Sequence, residues 1–122
     1  MSTTEDAREA LFRGKDAVAR SIYDRLLEAL RTVGPFQEEP KKTSLHLVHT
    51  VGCAGVHPRK SYLLLNVRTD HPIESPGINK AEQVSKSRFH NEVKLVSQKD
   101  VDEELLGRLK DAYTQTTIRV LL

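Results

Sequence analysis

The sequence predicts an α+β domain: an antiparallel sheet of about five strands, two N-terminal helices and one C-terminal helix, with the helices mainly on one face. Three observations carry this. Ala17 to Val33 repeats apolar residues at helical spacing, with Val18, Ile22, Leu26, Leu30 and Val33 on one stripe. Residues 43–96 hold short alternating segments separated by turn residues, which implies antiparallel pairing. Asp100 then opens a second helical pattern with Val101, Leu105, Leu109 and Ala112 on its apolar side.

At 122 residues the chain reads as a single domain, long enough to bury a core without metal or disulfide support. Trp is absent and only 5% of residues are aromatic, so the core is built from Leu, Val and Ile. One cysteine, Cys53, excludes an internal disulfide and suits a reducing compartment. No apolar run of membrane-spanning length occurs and the polar N-terminus lacks signal-peptide character, so a soluble, cytoplasmic protein is expected. The net charge of +2 is small but segregated. Residues 40–94 carry nine basic and four acidic groups, whereas the flanking segments are net acidic.

In chain order, Ser2 to Phe12 reads as a short helix that Thr3 can cap, with Glu5 and Asp6 in its first turn. Gly14 supplies a turn and Asp16 an N-cap for the long helix, which Gly34-Pro35 ends through a left-handed cap. Phe36 to Lys42 is a charged connector. Thr43 to Thr50 alternates, with Leu45 and Leu47 on one side and Ser44 and His46 on the other. Cys53 to His57 makes a second strand, Pro58 to Ser61 a turn, and Tyr62 to Thr69 a central strand with Leu63, Leu65 and Val67 inward. Asp70 to Asn79, with Pro72, Pro76 and Gly77, is a loop. Lys80 to Val84 is an edge strand. Arg88 to Val96 follows with Phe89, Val93 and Leu95 inward, and with Asn91 on the same side, where it needs a partner. Asp100 and Glu103 form a capping-box variant for the last helix, which runs to about Thr114. The apolar tail 117–122 can add a strand to a sheet edge, dock on the core or meet another copy.

Two groups of residues can carry function. Lys41 and Lys42 lead into the first strand, and His57, Arg59 and Lys60 sit at the next turn. Together they suit phosphate oxygens of a nucleic acid or another anion, with Lys86 and Arg88 extending the patch. The competing reading is that lysines protect sheet edges. There is no phosphate-binding glycine motif, and only Tyr62 offers a stacking ring in the basic stretch. On the outward sheet face, His46, Asn66, Arg68 and His90 can form a small-molecule or metal site, potentially enzymatic. Their plainer role is cross-strand contact. No metal-ligand spacing and no cofactor motif is present, so neither a metal nor a cofactor is expected. Cys53 paired with a histidine is a nucleophile candidate, but a small semi-buried filler fits its strand context better.

The blocks LFRGKD, IYDRLL, PKKTSLHL, AGVHPRKSYLLLN, RFHNEVKL and DVDEELLGRLKDAY occur in that order. Over about residues 10–114 they resemble the bacterial family "domain of unknown function 5655", leaving 115–122 as a tail. That resemblance implies no established activity. The final block with its preceding strands is more distantly similar to YjbR-like proteins, for which it implies a compact α+β fold and a "double-wing" mode of DNA binding. The chain departs from the first family at Cys53, where an aromatic residue is usual, and at Gly77, where a basic residue is frequent. It also has His90-Asn91 in place of a frequent histidine pair, which argues against a histidine-pair mechanism. The leading expectation is a non-catalytic module, monomeric or weakly dimeric, that binds nucleic acid or another anion. The alternatives are the sheet-face site and a protein-interaction module.

Overall fold

The computed structural model describes residues 4–49, 51–69, 78, 80–86 and 88–121, with side chains to Tyr113 except those of 49 and 51–53. Its elements are α1 (Thr4–Phe12), α2 (Ala17–Arg31), β1 (Gln37–Pro40), β2 (Leu45–His49), β3 (Val51–Pro58), β4 (Leu63–Thr69), β5 (Lys80–Ser85), β6 (Arg88–Leu95), a 3₁₀ turn (Gln98–Asp100) and α3 (Glu103–Leu121). The fold is α+β. The strands form one antiparallel sheet of six in the order β1-β2-β3-β4-β6-β5.

Strand alternation sorts the side chains. Leu45 and Leu47, Ala54 and Val56, Leu63, Leu65 and Val67, and Leu95 are buried on one face. There α3 packs across β2, β3 and β4, while α2 packs on α3 and β4. From α2 come Ala19, Ile22, Tyr23, Leu26, Leu27, Ala29 and Leu30; from α3 come Leu105, Leu109 and Ala112. Burial of these aliphatic groups is the main stabilising term. Asn91 sits on the core face and is fully buried; its side-chain amide donates to the Val67 carbonyl (2.9 Å) and the Thr69 hydroxyl (2.8 Å). The need for a partner is thereby met inside the sheet.

Several expectations are corrected. The segment read as a charged connector contains β1, because Glu38 is drawn onto the core-face edge. Its carboxylate accepts from the Tyr23 hydroxyl (2.7 Å) and from the Arg8 guanidinium (2.9 Å). Burial, and next the Glu38 carboxylate, push the Tyr23 phenol far above its ordinary value, so it stays a donor. The long helix stops at Arg31 with Thr32 as a right-handed C-cap, and Gly14 is the glycine with positive φ among the described residues (79°). Gly34 is instead a site of close approach: a Cβ there would stand 2.5 Å from the Tyr113 hydroxyl oxygen. Asp16 occupies the N-cap position without a side-chain hydrogen bond.

Asp100 closes a capping box with Ser97 on the 3₁₀ turn, one step before α3; Asp102 supplies the cap oxygen to Leu105 N (2.9 Å). The tail 117–122, expected to add a strand to a sheet edge, dock on the core or meet another copy, instead continues α3, whose backbone is helical to Leu121. Ser44 is buried in the β1–β2 turn, not outward. The Thr3 cap, most of the Asp70–Asn79 loop including Gly77, and the Cys53 side chain lie outside the described residues. No described helix is long and apolar enough to cross a membrane.

Candidate functional site

The face of the sheet opposite the helices carries polar groups in cross-strand rows. One row runs Glu39, His46, Gly55, Asn66, Glu92 and Lys80. A second, beside it, carries Arg68, His90 and Glu82. On the other side lie His57, Leu64 and Lys94. Cross-strand partners share a face, so the register itself groups these side chains.

The middle of the first row is Gly55, flanked by His46 on β2 and Asn66 on β4. With no side chain there, the polar layer has a gap. A hollow of about 120 Å³ opens at that point, lined by His46, His57, Asn66, Arg68 and His90, with Ala54 and Gly55 beneath. Drug-sized pockets run from about 300 to 1,000 Å³, so this one suits a small molecule or a single charged group of a larger one. Among the described residues lining it none is acidic.

Burial lowers the pKa of all three histidines, because it disfavours the imidazolium. Nearby basic groups act in the same direction: Lys41 and Arg68 at His46, Arg59 and His46 at His57, and Arg68, Arg88 and His46 at His90. Glu39, Glu92 and Glu82 oppose them one by one. Near neutral pH the described rim residues are therefore one permanent cation, three neutral imidazoles and an amide. Each imidazole has one N–H donor, and the guanidinium has five. Among the described residues no three His, Cys, Asp or Glu side chains are grouped closely enough to hold a metal ion.

All four sheet-face residues predicted from sequence, His46, Asn66, Arg68 and His90, line this hollow. His57 joins them, although its place beside Arg59 pointed to the basic turn. Gly55 was the missed element. An isolated glycine within an alternating strand marks a bulge or a close approach of another group, and that signal was present in AGVH.

The basic loops sit elsewhere. Lys41 and Lys42 are exposed in the β1–β2 turn, closed by Lys41 N donating to Ser44 O (2.7 Å). Arg59 and Lys60 are exposed in the β3–β4 turn, closed by Arg59 N donating to Tyr62 O (2.9 Å). Leu45 pairs with Val56 and Pro58 with Leu63, so both turns lie at one end of the sheet. Lys41 is already near an acid, 3.6 Å from Glu39. Lys86 and Arg88 lie at the β5–β6 hairpin, at the other end of β4. Seven residues of β4 separate the two ends, about 20 Å, so these two residues do not extend the first group.

A search of curated proteins finds no match, and a search of solved structures finds none either. The family model described as "Domain of unknown function (DUF5655)" matches residues 8–116, nearly the whole of α1 to α3, and the chain belongs to that family.

Proposed function

We propose that this protein is a small binding module whose ligand is a compact anion held in the hollow over Gly55. The observation that supports the reading is the lining of the hollow by His46, His57, Asn66, Arg68 and His90, rich in donors and without an acid among the described residues. Arg68 supplies the fixed charge and a planar fork of donors suited to an oxyanion. The neutral imidazoles and the Asn66 amide add directional hydrogen bonds at a lower desolvation cost than further fixed charges. The module acts in the bacterial cytoplasm as a monomer or weak homodimer. The test is a calorimetric titration with inorganic phosphate, sulfate, malonate and acetate, on the wild type and on Gly55→Val. Saturable binding of at least one anion, lost in Gly55→Val, is expected. Absence of binding by all four overturns the reading.

A second reading, contact with nucleic acid through Lys41, Lys42, Arg59 and Lys60, is favoured by the location of their two turns at one end of the sheet. Phosphate contacts of this kind are salt-sensitive and indifferent to sequence. It predicts a mobility shift of mixed DNA or RNA at low salt that disappears when these four residues are replaced by Gln. If no shift occurs at low salt, that reading is wrong.

A further inference from the structure

We infer that the anion in the hollow over Gly55 is a phosphate group, free or as the monoester end of a small metabolite, rather than a carboxylate. This rests on the reading of the hollow as an anion site and adds the class of ligand. Donor number and direction favour phosphate. The lining side chains come from four neighbouring strands: His46 from β2, His57 from β3, Asn66 and Arg68 from β4, His90 from β6. Donors therefore surround the gap instead of forming one fork. A carboxylate is flat and offers two oxygens, which the Arg68 guanidinium alone can satisfy. A phosphate monoester offers three strongly accepting oxygens and close to two negative charges, so it can engage donors converging from several sides.

The same arrangement couples binding to protons. Among the described residues, the groups facing the histidines are Lys41, Arg59, Arg68 and Arg88 as cations and Glu39, Glu82 and Glu92 as anions, besides His46 itself. Before an anion binds, burial and the neighbouring cations keep the imidazoles neutral. A dianion placed among them favours the imidazolium, so protons are taken up as it binds and affinity increases as pH falls. Gly55 makes the site separable from the fold: among the described residues its added Cβ would meet only His46 Cδ2, at 3.8 Å, an ordinary contact.

The experiment is calorimetry with inorganic phosphate, sulfate and malonate at about pH 6 and about pH 8, in buffers of different ionisation enthalpy. Sulfate keeps its charge over this range, so any pH effect on it belongs to the protein. The expected result is that phosphate and sulfate bind more tightly than malonate. Sulfate affinity should be about tenfold higher at the lower pH, with net proton uptake. Gly55→Val should weaken both tetrahedral anions at least about tenfold while retaining the wild-type circular dichroism. Malonate binding without phosphate or sulfate overturns the phosphate assignment and leaves the anion reading standing. No binding by any of them overturns the phosphate assignment, and the anion reading falls with it when acetate also fails to bind. Phosphate binding unchanged in Gly55→Val puts the anion outside the hollow and overturns the inference. Sulfate binding independent of pH refutes the proton coupling.

Discussion

Replacing Gly55 by valine separates folding from binding. A glycine in mid-strand costs about 0.5–1 kcal/mol relative to alanine, because it loses more chain entropy on folding. Valine adds a β-branched side chain that suits a pleated strand, on a scale spanning about 1 kcal/mol in all. Gly55 is outside the left-handed region, and its Cβ would meet nothing closer than 3.8 Å among the described residues, so neither strain nor clash opposes the change. The two γ-methyls enter the hollow of about 120 Å³ and cover part of the imidazole rim. The net expectation is a gain of about 1 kcal/mol, an increase in Tm of about 3–5 °C for a chain of this size. Differential scanning calorimetry reads the gain, and the anion titration reads the loss of the site. A fall in Tm of several degrees would show that the space over Gly55 is not open. A rise in Tm with anion affinity intact would show that the space is open but not the site.

The other glycine contact has the opposite sign. Gly34→Ala should lower stability by about 1–3 kcal/mol in urea unfolding, since its Cβ would overlap the Tyr113 hydroxyl, which donates to Pro35 O at 2.7 Å. An unchanged midpoint would mean that Tyr113 moves away at no cost. Asn91→Leu should cost about 1–3 kcal/mol by removing the buried donor to Val67 O and Thr69 Oγ1; a neutral result contradicts its role as a core polar tie. Acid stability follows from the histidines. Their folded pKa values lie below the ordinary 6.5, so the unfolded chain binds more protons below that pH. Stability is therefore complete above pH 6.5 and is lost as pH falls through the lowered folded values. Urea midpoints should drop over this window in the wild type and drop less in a His46, His57, His90→Gln triple variant. Equal slopes for the two proteins contradict the assignment.

The core was legible because its signals are periodic. Leu63, Leu65 and Val67 alternate, Ile22, Leu26 and Leu30 recur at helical spacing, and each is fully buried. β1 was not legible because Gln37–Pro40 has no alternating apolar pattern: its reason to be a strand is the pairing of Glu38 with Tyr23 and Arg8, tertiary contacts that local sequence does not encode. The end of α3 was misread for a related reason. Thr116, Thr117, Ile118 and Val120 are β-branched, yet the backbone continues the helix to Leu121, which shows how weakly such preferences bind a segment already propagating. At the candidate site the sequence named His46, Asn66, Arg68 and His90 from alternation alone. The separation of Lys86 and Arg88 from the other cations needed the strand register, and the hollow needed the glycine at its centre.

The most direct test is a structure of the protein crystallised with inorganic phosphate. A tetrahedral anion is expected over Gly55, within hydrogen-bond distance of the Arg68 guanidinium and at least two of the imidazoles of His46, His57 and His90. A fully dry or water-filled hollow at saturating phosphate, or anion density confined to the turns carrying Lys41, Lys42, Arg59 and Lys60, would contradict it.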